Sequence, residues 1–160
     1  GPEGALAPQP EVRLFDGSRQ RIDDLLGHGF SLIGLNVDPS RYLDRASAET
    51  LKALSTRSIT LYPYGGRPQG LNGVDHDNRN GTTEVEDIGG EMIAWFGKAG
   101  FSERAVAILR PDRFAFAVVP VVELNRTVAR LRNQLGTQQQ GRQSELARES
   151  ASTRSVAKAA

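Results

Sequence analysis

The chain has 160 residues, 38% of them hydrophobic and 24% charged, enough for one buried core with room for polar ends. Its 20 basic and 19 acidic side chains nearly cancel, no Lys/Arg block dominates and no apolar run reaches bilayer length, so no nucleic acid and no membrane is expected as partner. It has no cysteine, which excludes disulfides, thiolate metal sites and thiol redox chemistry and fits a cytoplasmic location.

Residues 1–11 hold Pro2, Pro8, Pro10, Gly1 and Gly4 and read as a linker with something before it. The opening Gly-Pro-Glu-Gly lacks the basic and apolar regions of a signal peptide. Val12–Phe15 alternates and ends at the Asp16-Gly17 turn signal. Ile22–Leu26 gives one or two helical turns stopped by Gly27. Phe30–Val37 is nearly continuously apolar and predicts a strand buried on both faces. Ser47–Leu54 predicts a helix with Ser47 as its cap, and Ser58–Tyr62 a second strand, parallel to the first. Residues 63–84, with five glycines and two prolines, predict a long mobile loop. Ile88–Phe96 is amphipathic at helical spacing. Ala105–Leu109 and Phe114–Val119 predict a hairpin around Arg110-Pro111-Asp112-Arg113, where Pro then Asp suit a type I turn. Glu123–Leu135 is the clearest helix, with Leu124, Val128, Leu131 and Leu135 inward and Arg126, Arg130 and Arg132 outward. Residues 136–160, rich in Gln, Ser, Arg and Glu, read as a flexible tail with a frayed helical turn at Glu145–Glu149.

The order is βαβ, a helix, then ββα. It predicts an α/β thioredoxin-like domain over 12–135, a central mixed sheet flanked by helices. The helix bearing Trp95, the strand ending at Arg110-Pro111-Asp112 and the aromatic strand from Phe114 resemble the C-terminal domain of FAD-dependent aromatic-ring monooxygenases of the 3-(3-hydroxyphenyl)propionate and phenol hydroxylase type. The opening from Gly4 to Val12, Asp16-Gly17 and Asp23–Gly27 carries the same likeness, so it covers residues 4–135. The resemblance implies a parent flavoprotein that uses FAD and NAD(P)H to put one oxygen atom of O₂ into a phenolic ring. It implies that this part is an accessory domain, cysteine-less and not itself catalytic. Its partners would be the FAD and substrate domains of the parent chain, or a second subunit in a homo-oligomer. No catalytic, cofactor-binding or metal residue of the parent falls in this sequence, which has no G-x-G-x-x-G turn.

The residues themselves offer few chemical candidates. Asp75-His76-Asp77-Asn78 has metal-ligand types but lies in a Gly-rich stretch with no second ligand set, and a solvated loop is the expectation. His28, between two glycines, reads as a surface turn. Arg110 and Asp112 offer a carboxylate-binding pair or, as expected, a structural turn in which Asp112 accepts from an amide two residues on. Trp95, Phe96, Phe101, Phe114 and Phe116 read as core between one helix and the sheet rather than a ring-binding pocket. Gly65-Gly66 and Gly70 are a weak phosphate-nest signal. The alternative to an accessory domain is a freestanding cysteine-less binding module, against which the only methionine, Met92, being internal counts mildly.

Overall fold

A computed structural model describes residues 2–68 and 82–159. Among them, seven strands form one mixed sheet in the order β2-β1-β5-β4-β3-β6-β7. In chain order these are β1 (Glu11–Leu14), β2 (Arg19–Arg21), β3 (Ser31–Leu35), β4 (Arg57–Pro63), β5 (Thr82–Asp87), β6 (Ala105–Leu109) and β7 (Ala115–Pro120). The helices are α1 (Ile22–Leu26), α2 (Arg45–Ala53), α3 (Glu91–Lys98) and α4 (Leu124–Ala159).

The expected βαβ–ββα unit is the part β4-β3-β6-β7. β3 and β4 run parallel, joined through α2, and β6 pairs antiparallel with β3 and with β7. β3 and β6 are buried at every residue because helices cover both faces. Strand alternation sorts their side chains. Ile33, Leu35, Ala107 and Leu109 face Ile22 and Leu26 of α1 and Met92 and Phe96 of α3. Leu32, Val106 and Ile108 face Leu51 of α2 and Leu124, Val128 and Leu131 of α4.

Several elements depart from the sequence reading. α2 is capped by Asp44, not Ser47: the Asp44 carboxylate accepts from Ser47 N at 2.8 Å, so the helix starts two residues earlier than expected. α3 begins at Glu91 because Gly90 takes a positive φ, leaving Ile88 in the preceding turn. Thr82–Glu84, assigned to a loop, open β5, which pairs parallel with β4 and antiparallel with β1. The β-branched Thr82 and Thr83 fit that pleat, and Thr82 Oγ1 lies 3.0 Å from the buried Thr60 Oγ1. The rest of the supposed loop, 69–81, lies outside the described residues. The opening residues are tied in rather than free: Gly4 N donates to Ala115 O, Ala115 N to Ala5 O and Ala7 N to Arg113 O, and Glu11 already belongs to β1. α4 does not stop at Leu135. It continues through Gly136 and Gly141 to Ala159, exposed from Gly136 through Thr153, 36 residues in all and about 54 Å long at 1.5 Å per residue. The Gln, Arg, Glu and Ala of this stretch favour helix by intrinsic propensity, which an apolar-stripe criterion does not register.

One arginine joins the hairpin to the first helix. Arg113 has φ of 70°, a left-handed conformation unusual for a side chain with a Cβ. It occupies the position after a type I turn that closes a three-residue hairpin loop, where Gly is the ordinary choice. Its guanidinium is 15% exposed and donates to Asp23 Oδ1 at 2.7 Å and to Gly27 O, past the end of α1, at 2.6 Å. Those contacts offset the backbone strain and satisfy a carbonyl that the short helix leaves open.

Two measurements check this account. Urea unfolding of Arg113→Ala should show a loss of roughly 2–3 kcal/mol, from charge-assisted bonds removed while the strained backbone stays. Arg113→Gly should lose about 1 kcal/mol less, because glycine relieves the left-handed penalty; equal losses would mean that the strain is absent. The Asp44 carboxyl is held below its ordinary pKa by the Ser47 amide and then by the Ser47 hydroxyl. A carboxylate with a depressed native pKa stabilises above its unfolded value, and the stabilisation is lost as pH falls through the native one. The stability gap between the wild type and Asp44→Ala should therefore be full at neutral pH and shrink below about pH 4. A gap independent of pH would exclude the charged cap.

Candidate functional site

The hairpin tip is built by its own side chains. Arg113 N donates to Arg110 O and Arg110 N to Phe114 O, each at 2.9 Å, which closes the loop Pro111-Asp112-Arg113. Arg110 grips Asp112 with two parallel bonds, Nε to Oδ1 at 3.2 Å and Nη2 to Oδ2 at 2.7 Å. Asp112 Oδ1 also accepts from Phe114 N at 3.2 Å. The Arg110 hydrogen bond holds the Asp112 carboxyl below the usual carboxylate range, and the same bond pushes Arg110 upward. Both charges are thus committed to each other, at the position where a carboxylate ligand would otherwise meet Arg110. Arg113, which the sequence reading passes over, makes the long-range contacts; the available signal was a long cation at the hairpin position that ordinarily takes glycine.

The tip does not stand alone. Leu6 forms an isolated antiparallel bridge with Phe114. Alternation along residues 4–7 turns Ala7 into the core and leaves Leu6 59% exposed. Pro2, Ala5 and Leu6 face Trp95 and Lys98 of α3 and its C-cap Ala99 across a groove of about 440 Å³. Trp95 is half-buried, edge-on to the buried Phe96 ring at 5.5 Å. Parts of three of the segments that carry the sequence likeness, 4–7, 95–99 and 110–114, therefore meet at one corner.

The aromatic residues do not form one pocket or one core layer. Phe96, Trp95 and Phe101 pack on the α1/α3 face, and Phe116 packs on the α2/α4 face under Arg130. Phe114, expected in the core, is 36% exposed beside Arg110 at the tip, because the turn carries it past the end of the sheet pairing.

The carboxyl ends of β3 and β4 form a second place where a βαβ fold can host chemistry. A helix N-terminus there would activate a thiol. In this chain the connection Asn36–Leu43 carries none. It folds back over β3, where a Cβ on Gly34 would run into Val37 O. Asp38 Oδ1 accepts from Ser40 N and Oγ, and the Asp44 carboxylate holds the Ser47 amide at the start of α2. Asn125 of α4 clamps the connection by accepting from Asp44 N and donating to Tyr42 O, both at 2.9 Å. Arg104 donates to Tyr42 Oη at 2.8 Å. The sequence reading singles out none of Asp38, Tyr42 or Arg104; they acquire proximity only through the fold.

The remaining candidates separate. His28 is exposed, one residue past the Gly27 that ends α1. Gly65 N donates to Glu86 Oε1 and Gly66 N to Pro63 O, so the amides of the supposed nest are already taken. Gly70 and Asp75-His76-Asp77-Asn78 lie outside the described residues. Among the described residues, no group of three or more His, Asp or Glu is placed to hold a metal ion, and no helix is long and apolar enough to cross a membrane.

Comparison with known proteins gives this geometry a family. The HcaD C-terminal domain matches residues 4–134. A 3-(3-hydroxy-phenyl)propionate/3-hydroxycinnamic acid hydroxylase of Paraburkholderia xenovorans (strain LB400) is 34% identical over 115 residues, 71% of this chain and 17% of that protein. The enzyme of that name from Klebsiella pneumoniae (strain 342) is 30% identical over 117 residues, 73% of this chain and 20% of that protein. The chain thus spans about a fifth of the length of the curated relatives it matches. Among solved structures, peroxidoxin BcpB from Mycobacterium tuberculosis aligns with a TM-score of 0.58 at 15% identity, covering 82% of this chain and 96% of that one. Copper-bound ScoI of Arabidopsis thaliana aligns with a TM-score of 0.54 at 10% identity, covering 81% and 99%. At such identities these two speak for the fold alone, which is thioredoxin-like. With residues 4–134 matched and the hairpin, α3 and opening segment all inside the match, the chain belongs to the HcaD C-terminal domain family.

Proposed function

We propose that this chain is the accessory C-terminal domain of a cytoplasmic, FAD-dependent, NAD(P)H-using aromatic hydroxylase, where it supports packing or subunit contacts and leaves the oxidation to the rest of the protein. The observations that carry the reading are the match of residues 4–134 to the HcaD C-terminal domain and the match of 117 residues to about a fifth of a hydroxylase. The chain's own residues do not fit a flavin. No strand leads through G-x-G-x-x-G into a helix, and the amides of Gly65 and Gly66 are engaged. FAD, which supplies the oxygen-activating chemistry in such a parent, would be held by the parent's preceding domains. The chain's nearly balanced charge supports a protein partner over nucleic acid or an anionic membrane.

A flavin titration tests the division of labour. FAD added to the purified chain should keep its free absorbance and fluorescence, whereas the hydroxylase body lacking this domain should retain flavin and bind the chain when the two are mixed. A stoichiometric flavin shift with the chain alone would overturn the reading.

A further inference from the structure

We infer that the corner formed by residues 4–7, α3 and the β6–β7 tip is the docking face for the flavoprotein body of the same polypeptide. The inference rests on the accessory-domain reading and adds to it the place of contact.

Three observations converge on this corner. The first is the route of the chain. In hydroxylases matched over their C-terminal part, everything that precedes the domain enters it just before the first matched residue, here Gly4. Gly4 N is fixed on Ala115 O at 2.8 Å, and Glu3 Oε1 accepts from Arg130 Nη2 at 3.2 Å. The entry point is therefore anchored beside β7. A body joined at this anchored point is tethered beside the corner, which makes its contact there intramolecular, so the contact needs little affinity of its own.

The second observation is the surface. Single exposed apolar side chains are ordinary, but a cluster is informative. Leu6 at 59% and Phe114 at 36% exposure are bridge partners, and Leu6 also lines the groove with half-buried Trp95 and Ala99. Of the other exposed large apolar side chains, Tyr64, Val122 and Leu146 belong to separate segments, and the rings of Phe15, Tyr42 and Phe114 itself each lie under a guanidinium, those of Arg67, Arg104 and Arg110 at 4.3, 5.5 and 5.6 Å.

The third is rigidity. Leu6 is presented by a segment hydrogen-bonded at Ala5 and Ala7, Phe114 by a closed turn, and Trp95 by a helix packed through Met92 and Phe96. A preformed apolar groove of this kind accepts a protruding side chain without an ordering cost. Lys98 at its edge suits a carboxylate on the partner's rim. Within a chain, an interface typically covers roughly 600–1,500 Å², so the groove seats one anchoring side chain inside a wider contact.

The experiment is hydroxyl-radical footprinting of the 160-residue chain alone and of the whole hydroxylase that carries it, read residue by residue by mass spectrometry. Oxidation of Leu6, Trp95 and Phe114 should fall severalfold in the whole enzyme, while Val122 and Tyr42, near the other end of β7, stay unchanged. Protection at Val122 and Tyr42 instead would overturn the docking face and leave the accessory reading standing. No protection anywhere would overturn both. As a second readout, Leu6→Glu in the whole enzyme should speed protease cleavage between body and domain roughly tenfold, the equivalent of about 1.4 kcal/mol of docking free energy. Val122→Glu serves as the control. Because the Leu6 side chain points outward, the domain itself should still fold, and its unfolding midpoint measured alone should match the wild type. Equal cleavage rates for the two variants would sink the proposal.

Discussion

The burial of β3 and β6 on both faces is the constraint on which the rest of the architecture depends. Two adjacent strands with apolar side chains pointing both ways cannot be satisfied by a helix on one side. Ile33, Leu35, Ala107 and Leu109 require α1 and α3; Leu32, Val106 and Ile108 require α2 and α4. The small Ala105 and Ala107 let the α1/α3 layer sit close, and the larger Val106 and Ile108 fill the space under α4. Once both layers are in place, β4 and β7 have fixed neighbours. The strands added at one side, β5, β1 and β2, extend the sheet to an edge of three residues, Arg-Gln-Arg, all exposed. A short charged edge discourages pairing with another chain.

At the opposite edge the sheet is finished differently. β7 is covered at its start by residues 4–7, and the hairpin that leads into it is locked by Arg110, Asp112 and Arg113. The two arginines divide the work. Arg110 bonds within the turn and sets its shape. Arg113 accepts a left-handed backbone and reaches Asp23 and Gly27, so that hairpin, first helix and opening segment form one unit. A glycine at 113 would suit the turn but could not make this connection, which explains why a strained arginine is tolerated there.

The core was legible in the sequence and the edges were not, for one physical reason. Residues 30–37, 105–109 and 124–135 announce themselves because burial on two faces, or along one stripe of a helix, leaves a pattern in the sequence. β2 has no apolar residue, and β5 begins with two threonines next to glycine-rich sequence, so neither leaves such a pattern. The residues 4–7 look like linker because their order comes from hydrogen bonds to a strand more than 100 residues away, to which side-chain identity is nearly blind. The long helix beyond Leu135 has propensity without a stripe. Of the candidate site, Pro111 and Asp112 fall in the closed loop between β6 and β7, whose chemistry is local and so legible in sequence. The convergence of Leu6, Trp95 and Phe114 could not be read from spacing, since it depends on which strand occupies the sheet edge.

The same contrast bears on what a thioredoxin-like fold does without thiols. The start of α2, where such a fold can lower the pKa of a nucleophile, is here closed by the Asp44 cap and tied down by Asn125. A carboxylate at that helix start disfavours a second anion by repulsion, and the Ser47 amide it holds is no longer available to a ligand. Under the accessory-domain reading this closure has a cost only if the site is used. With no thiol to activate, capping the helix stabilises the fold, and the freedom to vary shifts to the surface. On that reading the chain contributes shape: a core that holds its own form, an anchored point of entry, and an apolar corner held open beside it. A domain meeting those conditions can fix the position of a larger neighbour without taking part in its chemistry.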